Sequence, residues 1–142
     1  MKVIDGLIYD TVGFTCSCFD LWHAGHIIMI KYAKARCDRL IVGLQTDPTI
    51  DRSDTKNKPI QSLEERRIQL EAVKYVDEVF TYDTEKDLYK KLLDIKPDVR
   101  ILGSDYIGKS FTGDDLDIPI HYHERNHNYS STNLRKKICG II

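Results

Sequence analysis

Short apolar runs alternate with polar, helix-like stretches along this chain, and that alternation constrains the fold more than any other feature. The clearest run is residues 40–44, which is near-continuously apolar inside the segment Arg39–Gln45. A strand of this kind is buried on both faces, as in a parallel sheet. Strands separated by helices of about ten residues form βαβ units. We therefore predict an α/β fold with a doubly wound parallel sheet of about five strands, in a single domain over residues 1–142.

The same pattern predicts the individual elements. Strands are predicted over residues 11–17, Arg39–Gln45, Glu78–Tyr82, 99–102 and 118–123. Helices are predicted through Ile27 to near Cys37, from the Ser62 and Glu65 capping box to about Lys74, over Glu85–Ile95 behind Thr84, and from Ser131 onward. The polar stretch 46–61 is predicted to be a mobile functional loop. Asp5 and Gly6 indicate a small turn or hairpin within residues 1–10.

Composition excludes several classes of protein. A hydrophobic content of 42% is too high for a disordered chain, and 21 Lys and Arg against 22 Asp and Glu leave no basic excess for a nucleic-acid binder. No apolar run reaches the ~18 residues of a membrane span, and residues 1–10 lack the pattern of a signal peptide. We therefore expect a cytoplasmic protein with no nucleic-acid or membrane partner, whose four cysteines are reduced and mostly buried.

Ligands of an open parallel sheet bind at the carboxyl ends of the strands, and a polar segment follows the first predicted strand there. This segment, 18–26, carries His23 and His26 around Gly25 at a predicted helix start. Free backbone N–H groups favour anions at such a terminus, and glycine allows a ligand to approach the backbone closely. The histidine pair therefore suits phosphate oxygens, with helix capping or packing as the simpler alternative.

A second polar segment, 125–132, leads from the last predicted strand into the last predicted helix. Arg125 followed by Ser130, Ser131 and Thr132 supplies directional donors at a helix N-terminus, which suits a polyphosphate. The simpler interpretation is an ordinary N-cap with Arg125 in solvent. The occurrence of both segments in one chain favours anion binding.

The two segments belong to a series of motifs by which the chain resembles the nucleotidyltransferase superfamily with the His-x-Gly-His signature. Within it, the chain looks most like the small cytidylyltransferases that include the glycerol-3-phosphate cytidylyltransferases. The resemblance covers roughly residues 11–138 and depends on blocks in one order: 18–21 with 23–26, Lys58 before 62–67, 74–79, 103–106 and 125–132. It implies a Rossmann-like fold and a homodimer, with block 74–79 near the dimer interface.

The resemblance also implies a reaction and a role for each motif residue. A phosphomonoester attacks the α-phosphorus of a nucleoside triphosphate and expels pyrophosphate without a covalent enzyme intermediate, so catalysis is positioning and charge stabilisation. The implied catalytic residues are His23, His26, Lys58, which would bridge the two reacting phosphates, and Arg125. The implied nucleotide-binding residues are Ser17, Cys18, Phe19, Asp20, Gly25, Asp105, Ser130, Ser131 and Thr132. Arg66 and Lys74 are candidates for binding the acceptor's phosphate or for supporting the site.

No metal site built from protein side chains is predicted. No Cys or carboxylate recurs at a ligand spacing near the histidine pair. His121 and His123 share one face of a strand and are better explained as satisfied or solvent-facing side chains. Mg²⁺ is implied only as a companion of the triphosphate, bound mostly by its oxygens.

Three functions are compatible with these motifs. The first is transfer of CMP from CTP to a small phosphorylated alcohol such as glycerol 3-phosphate. The second is adenylyl transfer from ATP to make an ADP-sugar or a dinucleotide cofactor, and the third is a catalytically silent nucleotide-binding module. No motif names the acceptor.

Overall fold

The computed structural model describes residues 2–4, 6–9 and 11–140. Within these residues the strands are β1 (Lys2–Ile4), β2 (Leu7–Tyr9), β3 (Val12–Ser17), β4 (Arg39–Gln45), β5 (Glu78–Tyr82), β6 (Val99–Gly103) and β7 (Ile120–His123). The helices are α1 (Ala24–Lys34), α2 (Thr49–Arg52), α3 (Leu63–Glu71), α4 (Glu85–Ile95) and α5 (Ser131–Gly140), with a 3₁₀ turn at Ser104–Tyr106.

Strands β3 to β7 form the predicted parallel sheet. Their order is β5-β4-β3-β6-β7, and every neighbouring pair is parallel. The chain moves outward from β3 through β4 to β5 and then crosses to β6 on the other side of β3. The topological switch point therefore lies between β3 and β6, where open α/β sheets bind their ligands.

Alternate side chains of the strands enter two separate cores, as a doubly wound sheet requires. Leu40, Val42 and Leu44 of β4 pack with residues of α1 and α3, whereas Ile41 packs on the opposite face with residues of α4. All four β4 side chains are at most 5% exposed. Burial on both faces explains why this strand is the most continuous apolar run in the sequence.

The N-terminal turn is also confirmed. β1 and β2 pair antiparallel around Gly6, whose φ of +76° lies in the left-handed region that glycine adopts without strain. Asp5, the other residue of the predicted turn, lies outside the described residues.

Several element boundaries differ from the prediction for local reasons. α1 begins at Ala24 because the side chain of His23 caps it, and α3 ends at Glu71 rather than near Lys74. β7 begins only at Ile120, because Pro119 has no backbone N–H to donate within a sheet. The predicted loop 46–61 contains the one-turn helix α2, whose first residue donates to the Asp47 carboxylate.

The burial of the cysteines differs from the expectation. All four cysteines are free, but Cys139 is exposed and the other three are only half-buried. None of the helices in the described part of the chain has the length and apolar character needed to cross a membrane.

Candidate active site

A cavity of about 1020 Å³ opens at the carboxyl edge of the parallel sheet. This volume is at the upper end of the range found for small-molecule sites. Most of the residues predicted from sequence line it: Ser17, Cys18, Phe19, His23, Gly25, His26, Asp105, Arg125, Ser130, Ser131 and Thr132. The structure therefore brings together two segments that are about a hundred residues apart in sequence.

His23 and His26 form a reciprocal cap at the N-terminus of α1. The Nδ1 atom of His23 accepts a hydrogen bond from the backbone N–H of Gly25 at 3.0 Å, and Nδ1 of His26 accepts from the backbone N–H of His23 at 3.2 Å. The two rings stack with centroids 3.8 Å apart. Because both Nδ1 atoms accept, both rings carry their proton on Nε2, which leaves each imidazole with one donor for a ligand.

The surroundings keep both imidazoles neutral. Burial, followed by the nearby charge of His23, lowers the pKa of His26 to about 3. Burial, followed by the charges of Arg125 and His127, also lowers the pKa of His23. The site therefore offers neutral N–H donors near pH 7 rather than fixed positive charges. Capping was the simpler alternative for this pair, and the structure combines it with free donors in the cavity wall.

Gly25 allows close contact between the two predicted anion-binding segments. A Cβ atom at this position would lie 2.7 Å from Cε1 of His23 and 2.9 Å from Cε1 of His127. The ring of His127, on the segment before α5, thus packs directly over the first turn of α1. Any larger residue would displace one or both of these imidazole rings.

The second predicted anion site lies at the N-terminus of α5. Ser130 caps this helix, since its hydroxyl accepts a hydrogen bond from the backbone N–H of Asn133 at 2.9 Å. The Arg125 guanidinium is exposed and donates to the carbonyl oxygen of Tyr129. Ser131 donates to the carbonyl oxygen of Asp20 at 2.8 Å. Capping therefore accounts for one hydroxyl, while Arg125 and Thr132 face the cavity.

Asp20 anchors the neighbouring segments and does not line the cavity, so its nucleotide-binding role stays a prediction. Its carboxylate accepts from the backbone N–H groups of Ile60 at 2.9 Å and Gln61 at 3.0 Å, and pairs with Arg135 at 2.8 Å. It is 7% exposed. The residues on either side, Phe19 and Leu21, have φ values of 51° and 49°, a strained left-handed conformation that this network holds in place.

Arg66 was predicted either to bind the acceptor's phosphate or to support the site. It is 1% exposed, and its guanidinium donates to backbone carbonyl oxygens of Gln61, Ser62, Cys18, Gln45 and Thr46. These contacts use four of its five N–H donors, which leaves at most one for a ligand. Of its two predicted alternatives, Arg66 therefore supports the site.

Neither of the two predicted lysines lines the cavity. Lys74 is exposed, and its ammonium group lies 5.2 Å from the ring centroid of its neighbour Tyr75. Lys58 is exposed on the segment between α2 and α3, whereas Lys56 of the same segment lies in the cavity wall. A contact between Lys58 and the reacting phosphates requires this segment to move inward, so the role of Lys58 stays a prediction.

With this geometry established, comparison with known proteins identifies the family. A family model described as cytidylyltransferase-like matches residues 14–137. The chain belongs to this family. It is 39% identical over 127 residues to the bifunctional protein HldE of Wolinella succinogenes, an alignment that covers 89% of this chain and 27% of the relative. HldE of Helicobacter pylori is 34% identical over 137 residues, covering 96% of this chain and 30% of the relative.

A solved structure supports the same assignment of this cytidylyltransferase-like chain. The lipopolysaccharide core biosynthesis protein of Thermoplasma volcanium GSS1 matches with a TM-score of 0.66 and 26% identity, over 86% of this chain and 100% of that one. The chain spans less than a third of the length of the HldE relatives named above. Family and relatives confirm the predicted resemblance to nucleotidyltransferases and support a transferase-type enzyme.

Several cavity residues of this cytidylyltransferase-like protein were not predicted. Gln45, Arg52, Glu85 and Arg100 line the part of the cavity next to α4. Their only signal in the sequence was a charged residue, Arg100, inside the apolar strand pattern. His123 was expected to be satisfied or solvent-facing, yet it lines the cavity, and its two ring nitrogens are buried without a hydrogen-bond partner in the described part of the chain.

The described residues contain no group of three or more His, Cys, Asp or Glu side chains that could hold a metal ion. The carboxylates in the cavity wall are Glu85 and Asp105. Glu85 is paired with Arg52 at 2.8 Å, so only Asp105 is available to a cation without breaking that ion pair. A divalent ion in this cavity would therefore need most of its oxygen ligands from a bound triphosphate.

Proposed function

We propose that this protein is a nucleotidyltransferase that transfers AMP from ATP to the phosphate of a sugar phosphate, with release of pyrophosphate. The observation that carries the proposal is the pair of neutral imidazoles at the N-terminus of α1. Both have Nδ1 fixed by backbone donors and Nε2–H available to the cavity, directly beside the N-terminus of α5. Such an arrangement stabilises charge that develops on phosphate oxygens without repelling a cation that arrives with them.

In the proposed reaction, an oxygen of the acceptor's phosphate attacks the α-phosphorus in line with the leaving group. A new phosphorus–oxygen bond forms, the bond from the α-phosphorus to the β-bridging oxygen breaks, and pyrophosphate departs with its charge. His23 and His26 donate to oxygens of the α-phosphate region, while the N-terminus of α5 and Arg125 receive the β- and γ-phosphates. Mg²⁺, in this proposal, enters with the triphosphate and neutralises part of its charge.

The choice of nucleotide and acceptor is supported by the relatives. HldE proteins at 34% and 39% identity favour adenylyl transfer over cytidylyl transfer to glycerol phosphate. The Thermoplasma protein is described as acting in lipopolysaccharide core biosynthesis, which favours a saccharide acceptor. CTP is the second candidate nucleotide, because the family model that matches the chain is described as cytidylyltransferase-like.

Pyrophosphate release tests the proposal directly. ATP, CTP, GTP and UTP, each with Mg²⁺, are mixed with a panel of sugar 1-phosphates and with glycerol 3-phosphate. We expect release with ATP and a sugar phosphate. Release with CTP alone would favour the second candidate, and nucleotide binding without release across the panel would indicate the silent module.

Replacement of His23 by Ala tests the catalytic step. We expect turnover to fall by about 10²-fold or more, as for loss of one donor to a transition-state oxyanion. The exposed His121 supplies a matched control, His121→Ala, which should keep full activity. A His23→Ala variant with full turnover and unchanged melting temperature would contradict the proposed role.

A further inference from the structure

The part of the cavity next to α4 is built by five residues that form one hydrogen-bonded chain, which we call the donor pocket: Gln45, Arg52, Glu85, Thr112 and Arg100. Arg52 donates to the Gln45 side-chain oxygen at 3.0 Å and pairs with Glu85 at 2.8 Å. The Thr112 hydroxyl donates to the other Glu85 oxygen at 2.8 Å. The Arg100 guanidinium donates to the Thr112 carbonyl oxygen. All five residues line the cavity.

The donor pocket contains polar hydrogens that nothing in the described chain accepts. The Nε2 atom of Gln45 and the Nε atoms of Arg52 and Arg100 are buried and have no hydrogen-bond partner among the described residues. All three are donors, and the acceptors of the pocket are already used. Leaving buried donors unpaired costs about 1–3 kcal/mol each, so their occurrence together indicates a ligand that brings oxygen acceptors.

The charge of Arg100 also indicates an anionic ligand. Arg100 is 3% exposed, and no carboxylate in the described part of the chain is paired with it. Its guanidinium also contacts the Cys16 sulfur at 3.9 Å and the rings of Phe14 and Phe111, with centroids 5.7 and 5.2 Å from its carbon. The rings supply only part of the stabilisation that an ion pair would give.

The titratable neighbours do not compensate the charge of Arg100 either. Burial raises the pKa of the Cys16 thiol, so this group is neutral near pH 7. Burial also raises the pKa of Tyr82, which therefore keeps its proton. Glu85 is committed to Arg52 and Thr112. An unpaired buried cation is expensive, and an anionic ligand group would compensate it.

We propose that the donor pocket binds a second anionic group of the acceptor, a carboxylate or a phosphate, remote from the phosphate that attacks. This inference depends on the proposed function for the identity of the acceptor. Arg100 is the anchor for the anion, and Arg52 and Gln45 donate to its neighbouring oxygens. The acceptor class is thus a phosphomonoester with a second acidic group, and these residues determine specificity rather than catalyse the transfer.

Matched acceptors test the pocket. Glucose 1-phosphate, glucuronic acid 1-phosphate and glucose 1,6-bisphosphate share the reacting phosphate and carry a neutral, a carboxylate and a phosphate group at carbon 6. Glycerol 3-phosphate and 3-phosphoglycerate form an open-chain pair that differs in the same way. We expect kcat/KM to be about 10- to 100-fold higher for the acidic member, as charge-assisted hydrogen bonds predict. The carboxylate and bisphosphate arms identify which anion is preferred.

Substitutions of Arg100 test whether the donor pocket causes a preference for acidic acceptors. Arg100→Gln should lower kcat/KM for the acidic acceptors about 10- to 100-fold more than for the neutral ones, and Arg100→Lys should restore part of the preference. Arg67→Gln removes one positive charge at an exposed position outside the cavity and should change nothing. A merely structural role of Arg100 would instead lower the activity with neutral and acidic acceptors equally.

Failure of the inference and failure of the proposed function give different results. If no pyrophosphate is released by any combination, the proposed function fails, and melting temperatures still test the pocket. The acidic probes should then raise the melting temperature of the wild type more than the neutral probes, and Arg100→Gln should abolish the difference. Parity of acidic and neutral probes on both scaffolds, in turnover and in melting temperature, overturns the inference. Persistence of the preference in Arg100→Gln also overturns it.

Discussion

Arg66 and Arg100 are both buried beside the same cavity, with 1% and 3% of their surface exposed, yet their guanidinium groups are in opposite states. Arg66 donates from all three of its nitrogens to backbone carbonyl oxygens, at distances between 2.6 and 3.3 Å. Arg100 has one carbonyl partner, a distant sulfur, and an Nε–H without a partner in the described chain.

The contrast shows that burial alone does not distinguish a structural arginine from one that binds a ligand. The decisive quantity is how many donors remain after the protein's own acceptors are counted. Arg66 has at most one left, and its charge is distributed over the dipoles of several peptide groups. Arg100 has donors and charge in excess, which is the condition for recognising an anion.

Replacement of Arg66 is expected to cause the largest loss of stability. Arg66→Met leaves buried carbonyl oxygens after β3, after β4 and before α3 without their donor, so we expect the free energy of unfolding to fall by about 3–5 kcal/mol. Urea unfolding followed by circular dichroism measures it. Arg66→Lys, which keeps the charge but loses the planar fork, should recover only part of the loss. A change of less than about 1 kcal/mol for Arg66→Met would show that these carbonyl contacts contribute little to stability.

Asp20 accepts hydrogen bonds from backbone N–H groups, as Arg66 donates them to backbone carbonyl groups. Its replacement is expected to cause the next largest loss of stability. Asp20→Ala leaves the backbone N–H groups of Ile60 and Gln61 unpaired and breaks the ion pair with Arg135, so we expect a loss of about 2–3 kcal/mol in unfolding free energy. Arg135→Ala breaks only the ion pair and serves as the matched control, with a smaller loss expected. Equal losses for the two variants would show that the backbone contacts contribute nothing.

His26 lies between Arg66 and Arg100 in this respect: one ring nitrogen forms a hydrogen bond within the protein, and the other is left for a ligand. Its pKa of about 3 lies below the value of 6.5 of an unfolded histidine, so between these values the unfolded chain binds a proton that the folded chain does not. Stability therefore falls as the pH is lowered from 6.5 toward 3, by at most about 1.4 kcal/mol per pH unit for this group. Between pH 6.5 and 5.5, His26→Gln should show a shallower loss than the wild type in thermal unfolding, whereas His121→Gln should follow the wild type. Identical slopes for all three proteins would contradict the lowered pKa.

Replacement of Arg100 by Met should change the stability least. Arg100→Met removes an uncompensated buried charge while keeping a side chain of similar length, so we expect unfolding free energy within about 1 kcal/mol of the wild type, in either direction. The same urea titration used for Arg66→Met makes the comparison direct. A loss as large as that of Arg66→Met would show that both arginines are structural.

The fold was predictable because its determinants are local. The apolar run in β4, the Ser62 and Glu65 capping box and the alternation of strands with helices were enough to predict a parallel sheet with helices on both faces. The bounds of β5 and α4 agree with the prediction to the residue. The errors lie at element ends, where a single side chain such as that of His23 decides where a helix begins.

The site was predictable only where a motif marks it. The segments around His23 and Arg125 line the cavity as expected, but the destinations of individual side chains did not follow from the sequence. Arg66 is occupied by carbonyl groups up to 48 residues away, and the state of Arg100 depends on which acceptors reach it from β3 and from Thr112. These are long-range relations between donors and acceptors, which no pattern of residue types expresses.

The carbonyl groups that hold Arg66 have one more consequence for the segment that carries Arg52, Lys56 and Lys58. This segment begins after Gln45 at the end of β4 and ends at Gln61 before α3. The carbonyl oxygens of Gln45, Thr46 and Gln61 all accept from the same guanidinium. One guanidinium therefore joins the two ends of the segment, and Asp20 adds two hydrogen bonds at the end that precedes α3. Asp51 and Arg52 also contact Glu85, so an inward movement of Lys58 toward the cavity is confined to the stretch between Arg52 and Ile60.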